Sequence, residues 1–421
     1  MKKAKVLRTL TCIFILCALL VNMTSCLTTV KAENLMEGIE PRTVTAASDL
    51  NAQNIAATDF AVRLFRAAAE GGKSTLISPL SVMCALAMTA NGADGNTQSE
   101  MESVLGMSVA ELNLYLYSYM NSLSQGKKYK LNLANSIWFT DSEEFVVNEG
   151  FLQTNADFYG ADIYKTPFDR QTLRDINNWV KQKTDGMIPS VLDGIPDKAV
   201  MYLVNALAFE AEWERIYEKG DVRDAVFTRE GGATESVELM YSTEGRYLED
   251  ENATGFIKYY NGRKYAFAAL LPSEGVSVAD YIAGLDGAML SSMLKDAEST
   301  SVQVAIPKFE SEYSTEMSEV LRSMGMTDAF DVGRADFSRL GSPVVEGENI
   351  FISRVLHKTF IEVAEKGTKA GAATVVEMSK MSSAPNPEAK RVYLDRPFVY
   401  MLIDCENNLP FFIGTVMSVN P

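Results

Sequence analysis

The chain has 421 residues, 47% of them hydrophobic and 10% aromatic, and a mean hydropathy near zero, which argues for a soluble globular protein with a large core. Its formal net charge is −16. A surface that negative repels phosphate backbones and sets nucleic acid aside as a partner.

At the N-terminus, Lys2, Lys3, Lys5 and Arg8 precede an apolar run from Leu10 to Val21, the layout of a targeting signal and too short to be read as a membrane span. Met23-Thr24-Ser25-Cys26 then has the layout of a bacterial lipobox, in which small residues precede a cysteine that becomes lipidated, with Met23 where leucine is usual. The alternative is ordinary secretory cleavage after Ala32 in Val30-Lys31-Ala32. Either route places the mature protein outside the cytoplasm, secreted or anchored to the outer surface through Cys26. Residues 1–25 are read as the signal peptide, whose four positive charges leave with it and bring the mature chain near −20. Residues 26–48 are small and polar, with Pro41 and no sustained apolar period, and are expected to form a flexible tether. From residue 49 to 421 no linker, internal repeat or charge block divides the chain, which reads as one domain.

Within that domain, Ala61, Leu64, Phe65 and Ala68 recur at helical spacing before Gly71-Gly72. Ser78-Pro79 starts a second helix: serine can cap, and proline at the first helical position forfeits no needed donor. The Val82–Met88 run is apolar all round and predicts a buried helix. Leu131, Leu133, Ile137 and Phe139 alternate with Asn132, Ala134, Ser136 and Trp138 as in a strand, and Ile176, Trp179 and Val180 mark a short amphipathic helix. The nearly continuous apolar stretch from Val200 to Phe209 predicts a central strand covered on both faces. Tyr265–Leu271, Val302–Phe309, Ile350–Val363 and Phe398–Asp404 also read as strands. Helices early and strands late give an α+β class. Cys84 and Cys405, the two cysteines of the body, show no disulfide framework and are expected to be separate buried thiols.

Catalytic chemistry is sparse. His357 is the only histidine, it lies in a strand-like run, and no G-x-S-x-G elbow supplies a nucleophile for it. No His or Cys set has zinc-ligand spacing, and no phosphate-binding glycine loop is present. No catalytic residue, metal or cofactor is expected, although carboxylates alone leave an enzyme open.

The most unusual stretch is Glu365-Lys366-Gly367-Thr368-Lys369-Ala370-Gly371-Ala372-Ala373-Thr374, which follows the strong strand Thr359–Val363 but carries little to anchor it in a core. Composition alone allows a flexible Ala/Gly linker or a segment poised between loop and strand. The segment resembles the hinge of inhibitory serpins, a Glu-Glu/Lys-Gly-Thr-Glu pattern followed by small residues and threonine. The resemblance extends over about 370 residues, roughly Asp49 to Pro421. Ile77-Ser78-Pro79-Leu80-Ser81 is similar to the family's helix start, and Thr184-Asp185-Gly186-Met187-Ile188 to its Thr-x-Gly-x-Ile turn. Val204-Asn205-Ala206-Leu207-Ala208-Phe209 before Trp213 is similar to its Asn-Ala-x-x-Phe…Trp strand, and Asp395-Arg396-Pro397-Phe398 with Gly414…Pro421 to its closing signature.

The resemblance implies a large, mainly antiparallel central sheet with further sheets, about eight or nine helices, and an exposed reactive-centre loop near residues 365–391. It places Ser78, Ser81, Asn205 and His357 in the shutter beneath the sheet, where histidine has a structural and not a catalytic duty. Trp213 falls in the breach, where insertion begins, and Glu365 with Lys308 on the breach ion pair. The implied activity is suicide inhibition. A serine protease attacks the loop, and the cleaved loop inserts as a new strand before the acyl-enzyme hydrolyses, leaving a covalent 1:1 complex with a monomeric inhibitor.

Roughly 15 residues at about 3.3 Å each make that strand near 50 Å long. Alternation puts Thr368, Ala370, Ala372 and Thr374 inward and Lys369, Gly371 and Ala373 outward, so a charge at Lys369 is tolerated where the family usually has Glu. In the family about 17 residues run from the hinge glutamate through the residue before the cut, which reaches Met381 and gives Met381-Ser382 as the scissile bond, suited to elastase- or subtilisin-like enzymes. Extra residues between Met381 and Pro397, including Pro385 and Pro387, leave Lys380 and a trypsin-like target as an alternative register. A non-inhibitory member acting as a binding module is the other alternative; no proline or large charge at Thr368 or Ala370 argues for it.

Overall fold

The computed structural model describes residues 30–123, 126–141, 145–195, 200–343, 349–368 and 390–420. Nine α-helices lie among them: α1 (Asn51–Ala68), α2 (Pro79–Ala90), α3 (Gly95–Leu105), α4 (Val109–Ser122), α5 (Glu149–Tyr159), α6 (Arg170–Lys183), α7 (Val278–Gly284), α8 (Gly287–Lys295) and α9 (Ser318–Ser323). A seven-stranded sheet runs in the order β1 (Glu33–Asn34), β5 (Asp162–Thr166), β3 (Tyr129–Thr140), β6 (Met201–Glu212), β16 (Gly367–Thr368), β15 (Arg354–Ala364), β13 (Phe309–Glu316). A six-stranded sheet joins β2 (Leu76–Ile77), β19 (Leu409–Val416), β18 (Phe398–Asp404), β11 (Tyr265–Pro272), β10 (Ala253–Tyr259) and β9 (Tyr247–Glu249). A four-stranded sheet joins β17 (Lys390–Tyr393), β12 (Val302–Pro307), β8 (Thr234–Glu244) and β7 (Val222–Thr228), and β14 (Gly341–Pro343) pairs with β4 (Phe145–Val147). The architecture is the α+β arrangement expected, with a large, mostly antiparallel central sheet.

Strand β6 explains why the central sheet must be sandwiched. Every residue from Met201 to Phe209 is buried, so both of its faces need apolar cover. Helix α2 covers one face; all twelve of its residues are buried, and it starts where the Ser78 side chain accepts the Ser81 N–H with Pro79 at the first helical position. Helix α6 covers the other. A capping box at Asp169 opens it, and Ile176, Trp179 and Val180 project onto Trp138, Tyr164 and Tyr202 of the sheet.

Four expectations are corrected. The stretch 26–48 is not a free tether over its described part. Glu33–Asn34 pairs antiparallel with β5, Leu35 N–H donates to Ile163 O at 2.9 Å, and Leu35, Met36 and Ile39 pack on the core. Three apolar side chains suffice to dock a segment whose average composition is polar. The apolar run Val302–Phe309 is two strands in different sheets. It breaks at Pro307-Lys308, where the Lys308 N–H turns to Glu238 O while Phe309 begins pairing with Val363. In Ile350–Val363 only Arg354 onward joins the ladder, because the Ile352 and Ser353 N–H groups go instead to Ala329 O and Met201 O. Of the two free thiols, Cys84 is buried as expected, but Cys405 is only half-buried.

The central sheet is forked. Strands β6 and β15 run parallel and pair directly from Tyr202↔Arg354 to Ala206↔Lys358. There the ladder between them stops. At the other end β16 lies between them, antiparallel to both, with Thr368 opposite Ala211 and Val363, and Gly367 opposite Glu212 and Ala364.

Candidate functional site

His357 and Asn205 face each other in register on β15 and β6, one pair below the fork. The Ser78 N–H, at the cap of α2, donates to His357 Nε2 at 3.0 Å, which fixes the ring proton on Nδ1; that proton is donated to Asn205 Oδ1 at 2.7 Å. Ser81 Oγ donates to the same Asn205 oxygen at 3.0 Å. All four residues are at most 1% exposed. Burial holds His357 down to about 3, so the ring is neutral at every physiological pH. With both nitrogens engaged and no water access, it cannot serve as a general base. The network ties α2 to the two strands that diverge immediately above it. The four residues expected to meet here do meet.

At the open end, Trp213 follows β6 and is 1% exposed, stacked on Tyr260 with ring centroids 4.4 Å apart and planes 6° from parallel. Its Nε1–H donates to Ala364 O and its backbone N–H to Lys366 O, both at 2.9 Å, while the Tyr217 N–H donates to Glu365 O at 2.9 Å. Three donors on one segment therefore hold three consecutive carbonyls of the hinge turn. Thr368, next along, is 1% exposed and hydrogen-bonds Tyr260 OH, in keeping with its expected inward face.

Lys308 and Glu365 pair at 2.8 Å, and Lys308 also meets Glu238 at 2.9 Å. Burial opposes ionisation of Glu365 most strongly, but the Lys308 hydrogen bond, a backbone hydrogen bond and the Lys308 charge together outweigh it and leave the carboxyl below its usual range. The side chains of Lys308 and Glu365 are 31% and 37% exposed, so water screens much of the attraction. Lys369, Ala370, Gly371, Ala372, Ala373, Thr374, Lys380, Met381 and Ser382 lie outside the described residues, as does Cys26.

Tyr260, Tyr217 and Glu238 were not singled out from the sequence. Tyrosines and glutamates are too common here to mark a site (17 tyrosines in the chain), and only the register of β10 with its neighbours brings Tyr260 under Trp213. Among the described residues no cluster of three or more His, Cys, Asp or Glu could hold a metal.

The family model described as Serpin (serine protease inhibitor) matches residues 55–419. The chain belongs to the serpin family. An uncharacterized serpin-like protein of Thermococcus kodakarensis is 30% identical over 402 residues, 94% of this chain and 90% of that one. A leukocyte elastase inhibitor of Equus caballus is 30% identical over 385 residues, 86% of this chain and 98% of that one. The crystal structure of a thermophilic serpin, tengpin, in the native state superposes with a TM-score of 0.88 at 47% identity, over 92% of this chain and all of that one. In this serpin the fork, the His357 network and the Trp213 contacts thus belong to a family whose members are mostly protease inhibitors.

Proposed function

We propose that this serpin is a single-use, irreversible inhibitor of serine proteases of the elastase or subtilisin type, cleaved at Met381-Ser382. The observation that carries the reading is the fork: Gly367–Thr368 is already seated as a short strand between β6 and β15, with its backbone paired on both sides. A cleaved loop needs only to extend that strand. The protease serine oxygen attacks the Met381 carbonyl carbon, the Met381–Ser382 amide breaks, and the Ser382 amine leaves with a proton. The acyl-enzyme would next be hydrolysed by water; loop insertion, faster than that step, carries the tethered protease away and distorts it. Small side chains at Ala370 and Ala372 suit a strand that slides into a close-packed sheet.

The shutter residues Ser78, Ser81, Asn205 and His357 control strand separation in this reading, and Trp213, Lys308 and Glu365 hold the hinge until cleavage. The protein acts as a monomer outside the cytoplasm, anchored through lipidated Cys26. The packing of Val30 and Ala32 against the Trp138–Trp179 cluster supports a cut at Cys26 over one after Ala32, which would remove Val30.

The test is to mix the protein with elastase and run a denaturing gel. A 1:1 adduct stable to SDS is expected, and mass spectrometry of the released C-terminal peptide gives a cut at Met381-Ser382. A cut after Lys380 transfers the target class to trypsin-like enzymes. No adduct with any of several serine proteases overturns the inhibitory reading.

A further inference from the structure

The described residues contain a lysine side chain with almost no water contact: Lys258, on β10, is 1% exposed. Its ammonium meets Glu244 at 2.8 Å and sits over the Tyr217 ring, 4.4 Å from the centroid, and the Trp213 ring, 5.3 Å away. Ser242 Oγ donates to the same Glu244 oxygen at 2.6 Å and lies 3.2 Å from Tyr217 OH. Tyr217 hydroxyl, Ser242, Glu244, Lys258 and the Tyr217 ring therefore close a loop around one buried positive charge. Its members come from three places: Ser242 and Glu244 from the four-stranded sheet, Lys258 from the six-stranded sheet, and Trp213 and Tyr217 from the segment leaving the forked one.

Burying an ammonium disfavours its charged form, and here burial lowers the Lys258 pKa while Glu244 opposes the shift. Such a group persists in a core only where its partners are fixed, and removing either charge leaves the other uncompensated. The rings that fix it are those of Trp213 and Tyr217, whose backbone N–H groups hold Lys366 O and Glu365 O of the hinge. Any movement that opens the fork at this end must displace those rings, and displacing them strips the ammonium of its cation–π partners. The hinge grip and the buried charge are mechanically one unit.

We propose that Lys258, fixed by Glu244, is the positioning residue that governs release of the hinge, setting how readily the fork between β6 and β15 accepts a strand. This rests on the strand-insertion reading above. It predicts that the gate loosens when both charges are removed together, a change that avoids leaving either one unpaired.

The test uses the double variant K258M/E244Q, the single variant E244Q, and a fluorophore-labelled synthetic peptide with the sequence of residues 368–381, which competes for the place of the inserting strand. Uptake is followed as comigration of label and protein on native gels. The double variant is expected to take up peptide at least tenfold faster than the wild type, and E244Q, which leaves the buried ammonium without its counter-charge, at least as fast as the double variant. Leu290→Ala serves as the control for general destabilisation, since Leu290 is fully buried in α8, which packs on α1 and not on the gate. If the wild type takes up peptide and the double variant does so no faster than Leu290→Ala, Lys258 is only a buried cation and the proposal is overturned. If neither wild type nor variants take up peptide, the insertion reading fails first and this proposal with it.

Discussion

Replacing His357 with leucine deletes two hydrogen bonds in a site with no water to replace them. The Ser78 N–H, now at 3.0 Å from its acceptor, is left without one, while Asn205 Oδ1 keeps only the Ser81 hydroxyl. An unmet buried donor costs about 1–3 kcal/mol, so the variant is expected to lose about that much at pH 7. The pH dependence is the sharper test. The folded pKa of about 3 lies below the unfolded value of about 6.5, so the stability this group contributes is fully present above pH 6.5 and lost as pH falls toward 3. Between pH 7 and 5.5 linkage gives a loss of about 1.3 kcal/mol in the wild type. No other histidine exists to produce a slope in that window. Urea unfolding at the two pH values reads it directly: the wild type weakens by about 1.3 kcal/mol, and His357→Leu is flat by comparison. An unchanged slope in the variant would show that the ring is not buried neutral in the native state, and the His357 network derived from it would be wrong.

Further outcomes follow from the hinge. Thr368→Arg places a long charged side chain at a position 1% exposed, so the protease should cleave the loop and escape, visible on gels as cleaved inhibitor without adduct. A Cβ at Gly367 would overlap the Ala211 carbonyl and approach Glu212 Cα to 2.8 Å, so Gly367→Val should unseat β16 and slow adduct formation, measured as the second-order inhibition rate. Lys308→Met removes only half-exposed ion pairs and should cost less than about 1 kcal/mol, shrinking further in high salt. Trp213→Phe loses the buried bond to Ala364 O and part of a stacked ring, and should cost about 1–3 kcal/mol by urea midpoints, with little salt dependence.

Local signals were readable where the chemistry is local. Ser78-Pro79 announced a helix because a cap and an N-terminal proline act within one turn, and the unbroken apolar run into Phe209 announced a doubly covered strand. The meeting of His357 with Asn205 and Ser81 depends on strand register and on where α2 docks, which no spacing encodes; only the resemblance placed them together. Lys258 carries no such signal: lysine in an acidic chain reads as surface, and nothing in Phe256-Ile257-Lys258-Tyr259 indicates that Glu244 and two rings from other elements surround it. The docked segment around Glu33 is hidden in the composition because three apolar side chains vanish in a polar average. The run ending at Phe309 reads as one strand because hydrophobicity continues across Lys308 while hydrogen bonding changes sheet.

The most direct measurement compares the heat resistance of intact protein with protein nicked once between residues 378 and 384. Metastability requires the nicked form, its freed segment inserted along β6 and β15, to unfold well above the intact form, by about 10 °C or more. Coincident melting curves would mean that the fork stores no conformational energy, contradicting the account at its root.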